Sequence, residues 1–73
     1  MFERINVDPK VCSGKPVILG TRIMVKNILG MMSGGYDFAR IIETYPELTE
    51  DDIREAIDYA AFVTDDEKVV TRG

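Results

Sequence analysis

The sequence contains no histidine and no tryptophan, and its single cysteine is Cys12. Nucleophilic catalysis by serine or cysteine usually needs a histidine base, and a structural zinc site needs several cysteine or histidine ligands. A single cysteine also cannot form a disulfide within the chain. We therefore expect no catalytic residues, no metal, no other cofactor and no small-molecule substrate, so that the protein is not an enzyme.

Long apolar segments are missing as well. No stretch approaches the roughly 20 apolar residues that a membrane-spanning helix needs. The first residues, Met1-Phe2-Glu3-Arg4, lack the basic and then apolar order of a signal peptide. These features predict a cytoplasmic protein that has no contact with a membrane.

The chain of 73 residues predicts a single domain over residues 1–73. A domain of this size buries only about 60% of the surface that its unfolded chain exposes. Self-association would therefore add useful apolar burial.

Charge is distributed unevenly along the chain. Residues 1–36 hold five Lys or Arg against two acids, a balance of +3, and residues 37–73 hold four against eleven, a balance of −7. A polyanion such as DNA would be attracted to the first half and repelled by the second. The alternative is that the acids are ordinary solvated faces of helices.

Residues 5–25 predict short strands and a hairpin. Residues 5–7 alternate between apolar and polar, and Asp8-Pro9 is a typical turn pair. Residues 17–19 and 21–25 are mostly β-branched or apolar and predict the two arms of the hairpin. We expect Gly20 between them to adopt a positive φ, either at the third position of a type II turn or at a bulge.

Three amphipathic helices are predicted at residues 25–34, 37–45 and 49–63, because apolar side chains there recur with the i, i+3, i+4 spacing of one helix face. The remaining residues, 64–73, show no period and predict a tail. Asp37 and Thr49 are expected N-caps, with Asp52 in the capping-box position.

The second and third helices are predicted to form a helix-turn-helix, since only a short connection through Pro46 separates them. In such motifs the second helix of the pair reads bases with cationic or amide side chains. Here that helix carries several carboxylates and Arg54, which disfavours base reading. If DNA is bound, the expected contacts lie in the basic first half, at Lys10, Lys15, Arg22 and Lys26.

The end of the third helix carries apolar residues on two sides, which predicts cover by a partner subunit and hence a homodimer. The alternative is cover within the chain, by the tail or by the N-terminal strand with Phe2 and Ile5. Contacts with a partner or a second subunit are expected at Arg54, Glu55, Asp58, Tyr59 and Phe62.

Several short motifs carry a family resemblance. Gly14-Lys15-Pro16 and Gly20-Thr21-Arg22 are followed at characteristic spacing by Gly35, Tyr45-Pro46 and Leu48-Thr49. The chain thereby resembles the bacterial domain of unknown function 433, a family of small, antitoxin-like helix-turn-helix proteins. The residues that carry the motif are Gly14, Pro16, Gly20, Thr21, Gly35, Pro46 and Thr49.

The resemblance implies a mainly α, three-helix, homeodomain-like or winged-helix-like domain with a short N-terminal β-hairpin. It also implies a PIN-like nuclease toxin as partner and repression of the protein's own promoter. The resemblance therefore implies a non-catalytic, antitoxin-like protein that binds a toxin, with DNA as a further candidate partner of the basic first half. The alternatives are a stand-alone transcriptional regulator and a dimeric protein-interaction module without DNA binding.

Overall fold

The computed structural model describes residues 2–65. Two short strands precede three helices, and a 3-10 turn at Cys12–Gly14 lies between the strands. The elements are β1 at Ile5–Asn6, β2 at Val17–Ile18, α1 at Val25–Ser33, α2 at Phe38–Thr44 and α3 at Glu50–Asp65. The predicted fold class, mainly helical with a short N-terminal hairpin, is confirmed. The first two residues of the predicted tail, Thr64 and Asp65, belong to α3, and residues 66–73 lie outside the described part.

The strand pairing differs in detail from the hairpin that the sequence predicted. β2 pairs antiparallel with β1, with Ile5 opposite Ile18. The predicted second arm, residues 21–25, contributes only a bridge between Val17 and Met24. α1 begins at Val25, so only residues 21–24 lie between the turn at Gly20 and the helix.

The turn at Gly20 agrees with the type II prediction. Thr21 donates its N–H to the carbonyl of Ile18 at 2.9 Å, and Gly20, at the third position, has a φ of 81°. The Thr21 hydroxyl donates to the same carbonyl at 2.8 Å and accepts the N–H of Ile23 at 3.0 Å. This hydroxyl therefore ties both sides of the turn together.

The helix ends follow the capping pattern in the sequence. Asp37 accepts the N–H of Arg40 at 2.8 Å. At the start of α3, Asp52 donates its N–H to the Thr49 hydroxyl at 3.1 Å and accepts the Thr49 N–H at 2.9 Å. This reciprocal pair is a capping box in which Asp replaces the usual Glu or Gln.

Gly35 ends α1 in the left-handed region, with a φ of 98°. The Gly35 N–H donates to Met32 at 3.0 Å and the Tyr36 N–H to Met31 at 2.9 Å, the bonding pattern of a Schellman motif. α2 and α3 are joined by residues 45–49, where Leu48 donates its N–H to Tyr45 at 2.9 Å and is itself buried. Both connections are therefore short and closed by backbone hydrogen bonds.

Each helix contributes one fully buried isoleucine to the core: Ile28 from α1, Ile41 from α2 and Ile53 from α3. Ile18, Ile23, Val25, Leu48 and Ala56 complete the cluster around them. Burial of one such side chain contributes about 1.5 to 3 kcal/mol. The three helices are thus fixed around a single core, with the loops of the first half at one side. No helix in residues 2–65 is long and apolar enough to cross a bilayer.

Candidate binding surfaces

The four predicted nucleic-acid contacts, Lys10, Lys15, Arg22 and Lys26, are all exposed; together they are called the basic front. Two backbone contacts hold its segments together. The Pro16 carbonyl accepts the Val25 N–H at 3.0 Å. Because Lys15 precedes Pro16 and Lys26 follows Val25, the backbones of these two lysines are neighbours. The Cys12 thiol donates to the Arg22 carbonyl at 3.7 Å, which links the 3-10 turn to the loop before α1.

The residues of the basic front share with Arg40 a lack of ion pairs within the described part of the chain. Within residues 2–65 the salt bridges belong to Arg4 and Arg54, and none involves a residue of the basic front. Its charges are therefore hydrated in the free protein and remain available to phosphates, whose binding would release counterions.

Three successive residues before Lys15 have left-handed backbone: Cys12, Ser13 and Gly14, with φ of 50°, 58° and 82°. Gly14 suits this conformation, and a Cβ on it would lie 3.6 Å from the Pro9 Cα. For the two other residues the conformation costs about 1 to 2 kcal/mol each. The sequence indicates this turn only through Gly14. The turn returns the chain to extended backbone at Lys15.

The carboxylates of α3 are held by a residue that the sequence analysis did not select, Arg4. Its guanidinium lies 3.1 Å from Asp52 Oδ1 and 3.7 Å from Asp51 Oδ2, and its backbone N–H donates to Glu55. The hydrogen bond with Asp52 raises the pKa of the Arg4 guanidinium further above its usual value. No local spacing in the sequence could reveal this contact, because it joins residues 48 positions apart.

Arg54 is the only cation in residues 50–65, and it is engaged on the α2 side. Its Nη2 lies 3.5 Å from Glu50 Oε1, and its Cζ lies 5.4 Å from the centre of the Phe38 ring. Both contacts lie at the surface, since the side chains of Arg54 and Glu50 are 64% and 63% exposed.

Three of the other predicted partner contacts lie away from Arg54, whereas Asp58 lies one helical turn after it. Glu55, Tyr59 and Phe62 face the N-terminal segment: Glu55 through the Arg4 N–H, and the two aromatic rings through Phe2 at 5.3 and 5.4 Å between centroids. Phe2 thus covers part of the apolar end of α3, as the alternative of cover within the chain expected. Asp58 is exposed. No cluster of three or more metal-ligating side chains occurs in residues 2–65.

Residues 5–60 match the family described as protein of unknown function (DUF433). The uncharacterized protein y4eO of Sinorhizobium fredii is 33% identical over 58 residues, which are 80% of this chain and 26% of that protein. A crystal structure of a DUF433 member protein from Anabaena variabilis has a TM-score of 0.74 and 32% identity, over 77% of this chain and 55% of that one. The chain therefore spans about a quarter and about half of these two relatives.

Proposed function

The chain belongs to the DUF433 family, and from this premise we propose that it is a non-catalytic, antitoxin-like helix-turn-helix protein that binds a partner protein through α3. The partner suggested by the family resemblance is a PIN-like toxin. In this proposal α2, residues 45–49 and α3 form the helix-turn-helix. DNA, if it is bound, contacts the basic front.

The observation that carries the proposal is the pair of contacts that the Arg54 side chain makes within the chain. A recognition helix reads bases with free cationic or amide side chains near its N-terminus. The one cation of α3 is instead paired with Glu50 and lies over the Phe38 ring, while Asp58 is exposed and forms no ion pair within residues 2–65. A surface of this kind repels phosphates and attracts a basic protein. The proposal therefore assigns α3 to a protein partner.

Co-expression with a PIN-like toxin encoded beside the protein tests this assignment. The toxin should copurify with the chain, and co-expression should restore the growth of cells that produce it. Asp58→Lys should weaken the complex by at least about tenfold, because it places a cation against a basic partner. Glu43→Lys, an equal charge change at an exposed residue of α2, is the matched control and should bind as the wild type does.

Equal binding by the Asp58→Lys and Glu43→Lys variants would contradict the role of α3. Recovery of no nuclease-like partner from the native host, together with no neighbouring toxin reading frame, would remove the antitoxin proposal itself.

A stand-alone transcriptional regulator is the second candidate, and it is favoured by the charges of the basic front, which form no ion pair within residues 2–65. It requires promoter-specific binding that weakens steeply with salt. Replacing both Arg22 and Lys26 with Ala should lower the slope of log K against log salt by about 1.8, because two phosphate contacts are lost. The double variant Arg40→Ala, Arg54→Ala removes the same charge elsewhere and should keep the slope. Unchanged binding by the first variant would rule the regulator out.

A dimeric interaction module without DNA binding is the third candidate. It is favoured by the roles of Gly20 and Thr21, which close a turn and thereby give part of the family motif a purely structural purpose. In this case Lys15→Ala and Arg22→Ala would leave every partner interaction intact. Loss of toxin or DNA binding in either variant would exclude it.

A further inference from the structure

An apolar groove lies open between the start of α1 and the last two turns of α3. Its apolar lining comes from Pro16, Val25, Leu29, Tyr59, Ala60 and Val63, and its volume is about 260 Å³. Pockets that enclose drug-sized ligands usually measure about 300 to 1,000 Å³. An open groove of smaller volume suits a few apolar side chains of another polypeptide better than a small molecule.

The groove lies at the end of a line of apolar residues that runs along α3 and is here called the seam. Ile53, Ala56, Ala60 and Val63 follow one another at intervals of three, four and three residues, the a and d spacing of a helix that packs against another helix. Ile53 and Ala56 are fully buried, whereas Val63 is 41% exposed. Within residues 2–65 the seam therefore ends at a partly exposed apolar residue, and its spacing suits packing against a further helix.

On the side of α3 that faces Phe2, the described residues also cover the apolar end of the helix only in part. Phe2 packs against Tyr59 and Phe62, yet Phe62 remains 48% exposed. The two large apolar residues that α3 leaves exposed, Phe62 and Val63, therefore lie next to each other near its end.

We propose that the groove binds the C-terminal half of α3 from a second copy of this chain, in a two-fold symmetric dimer. Charge supports this occupant. Lys26 is the cation that lines the groove, and residues 57–65 of α3 carry Asp58 and Asp65 and no cation. The same helix half presents Phe62 and Val63. One chain therefore carries both an apolar groove with a basic edge and an apolar helix end with acidic residues.

In a two-fold symmetric dimer the helix end of each copy occupies the groove of the other, so the same contact forms twice. Such an interface is self-complementary, because one patch on a copy meets the same patch on its partner. The added burial matters for a domain of 73 residues, which is near the size at which one core is just sufficient. The dimer does not depend on the proposed function, since it can be measured without toxin or DNA.

Sedimentation equilibrium of the 73-residue chain over a range of concentrations tests the proposal. The wild type should form a dimer. Val63→Lys should raise the dimer dissociation constant more than about tenfold, because a cation would be buried in an apolar groove beside Lys26 of the other copy. Val7→Lys is the matched control, since Val7 is 54% exposed and lies outside the groove. It should dimerise as the wild type does.

Two further measurements keep the result clear if a variant is poorly folded. Circular dichroism must show wild-type helix content for Val63→Lys, as an exposed position allows. Lys26→Glu changes an exposed residue of α1 and leaves the apolar lining of the groove unchanged. It should weaken the dimer several-fold, because the new carboxylate repels the acidic helix end of the other copy. In the wild type, amide exchange at residues 59–65 should slow as concentration rises.

A monomeric wild type at every concentration would overturn the proposal, and so would a folded Val63→Lys protein that dimerises with the wild-type constant. A monomer whose groove is filled by a helix of another protein would also overturn it, because the occupant would not be a second copy.

Discussion

Arg4 and Asp52 join the N-terminal segment of the chain to the start of α3. The Nη1 of Arg4 lies 3.1 Å from Oδ1 of Asp52, whose other oxygen accepts the N–H of Thr49. One carboxylate, with only 11% of its side chain exposed, therefore both caps α3 and fastens the N-terminal segment to it.

Because Asp52 has both roles, we expect Asp52→Ala to lower the free energy of unfolding much more than Asp51→Ala does. The lost bond to the Thr49 N–H alone should lower the free energy of unfolding by about 1 kcal/mol, and the loss of the Arg4 contact adds to this. Asp51→Ala, whose side chain is 73% exposed and 3.7 Å from Arg4, should cost less than about 0.5 kcal/mol. Urea unfolding of both variants measures the difference; equal midpoints would contradict it.

Two glycine substitutions should have opposite effects. Gly20→Ala should destabilise by about 1 to 2 kcal/mol, because Gly20 has a φ of 81° and an L-residue is strained there. Gly30→Ala should stabilise by about 1 kcal/mol, since Gly30 lies inside α1 and alanine is the better helix former. Neither new Cβ meets an atom within 4 Å, so backbone conformation alone decides the sign. Thermal melts that move in the same direction would refute this reasoning.

Two substitutions of Thr21 test whether its hydroxyl holds the turn. Thr21→Val keeps the shape of the side chain but leaves the N–H of Ile23, a residue only 7% exposed, without its 3.0 Å acceptor. We expect a loss of about 1 to 3 kcal/mol. Thr21→Ser retains the hydroxyl and should recover most of the stability in chemical denaturation. A valine variant as stable as the serine variant would show that the hydroxyl does not hold the turn.

The core should be most sensitive at the isoleucine that α2 buries. Ile41→Ala should cost about 2 to 5 kcal/mol, because a cavity remains where the side chain was. A domain of this length has roughly 4 to 11 kcal/mol in all, so the variant should be partly unfolded at moderate temperature. Ile42→Ala, a partly buried neighbour on the same helix, is the control and should cost clearly less. Differential scanning calorimetry compares them.

The helices and their caps were predictable from the sequence because their causes are local. Asp37, Thr49 and Asp52 act on N–H groups within three residues of themselves, and Gly20 acts within a single turn. Such features depend on residue type and short spacing, which the sequence displays directly.

The features that were not predicted depend on contacts across the fold. Arg4 reaches α3 only because β1 pairs with β2, and the engagement of Arg54 by Phe38 requires α2 and α3 to be packed together. The left-handed backbone of Cys12 and Ser13 was missed because neither residue type favours it. Charge alone indicates the residues of the basic front, whereas only the structure shows that they form no ion pair within residues 2–65.

The contact between Arg4 and Asp52 also has a consequence for the order of folding. It closes a loop of 48 residues, whereas the capping bonds of α2 and α3 span three. Closing the longer loop costs more chain entropy. We therefore expect the three helices to associate in the transition state before residues 2–6 attach to them, so that replacing Arg4 accelerates unfolding and leaves the refolding rate nearly unchanged.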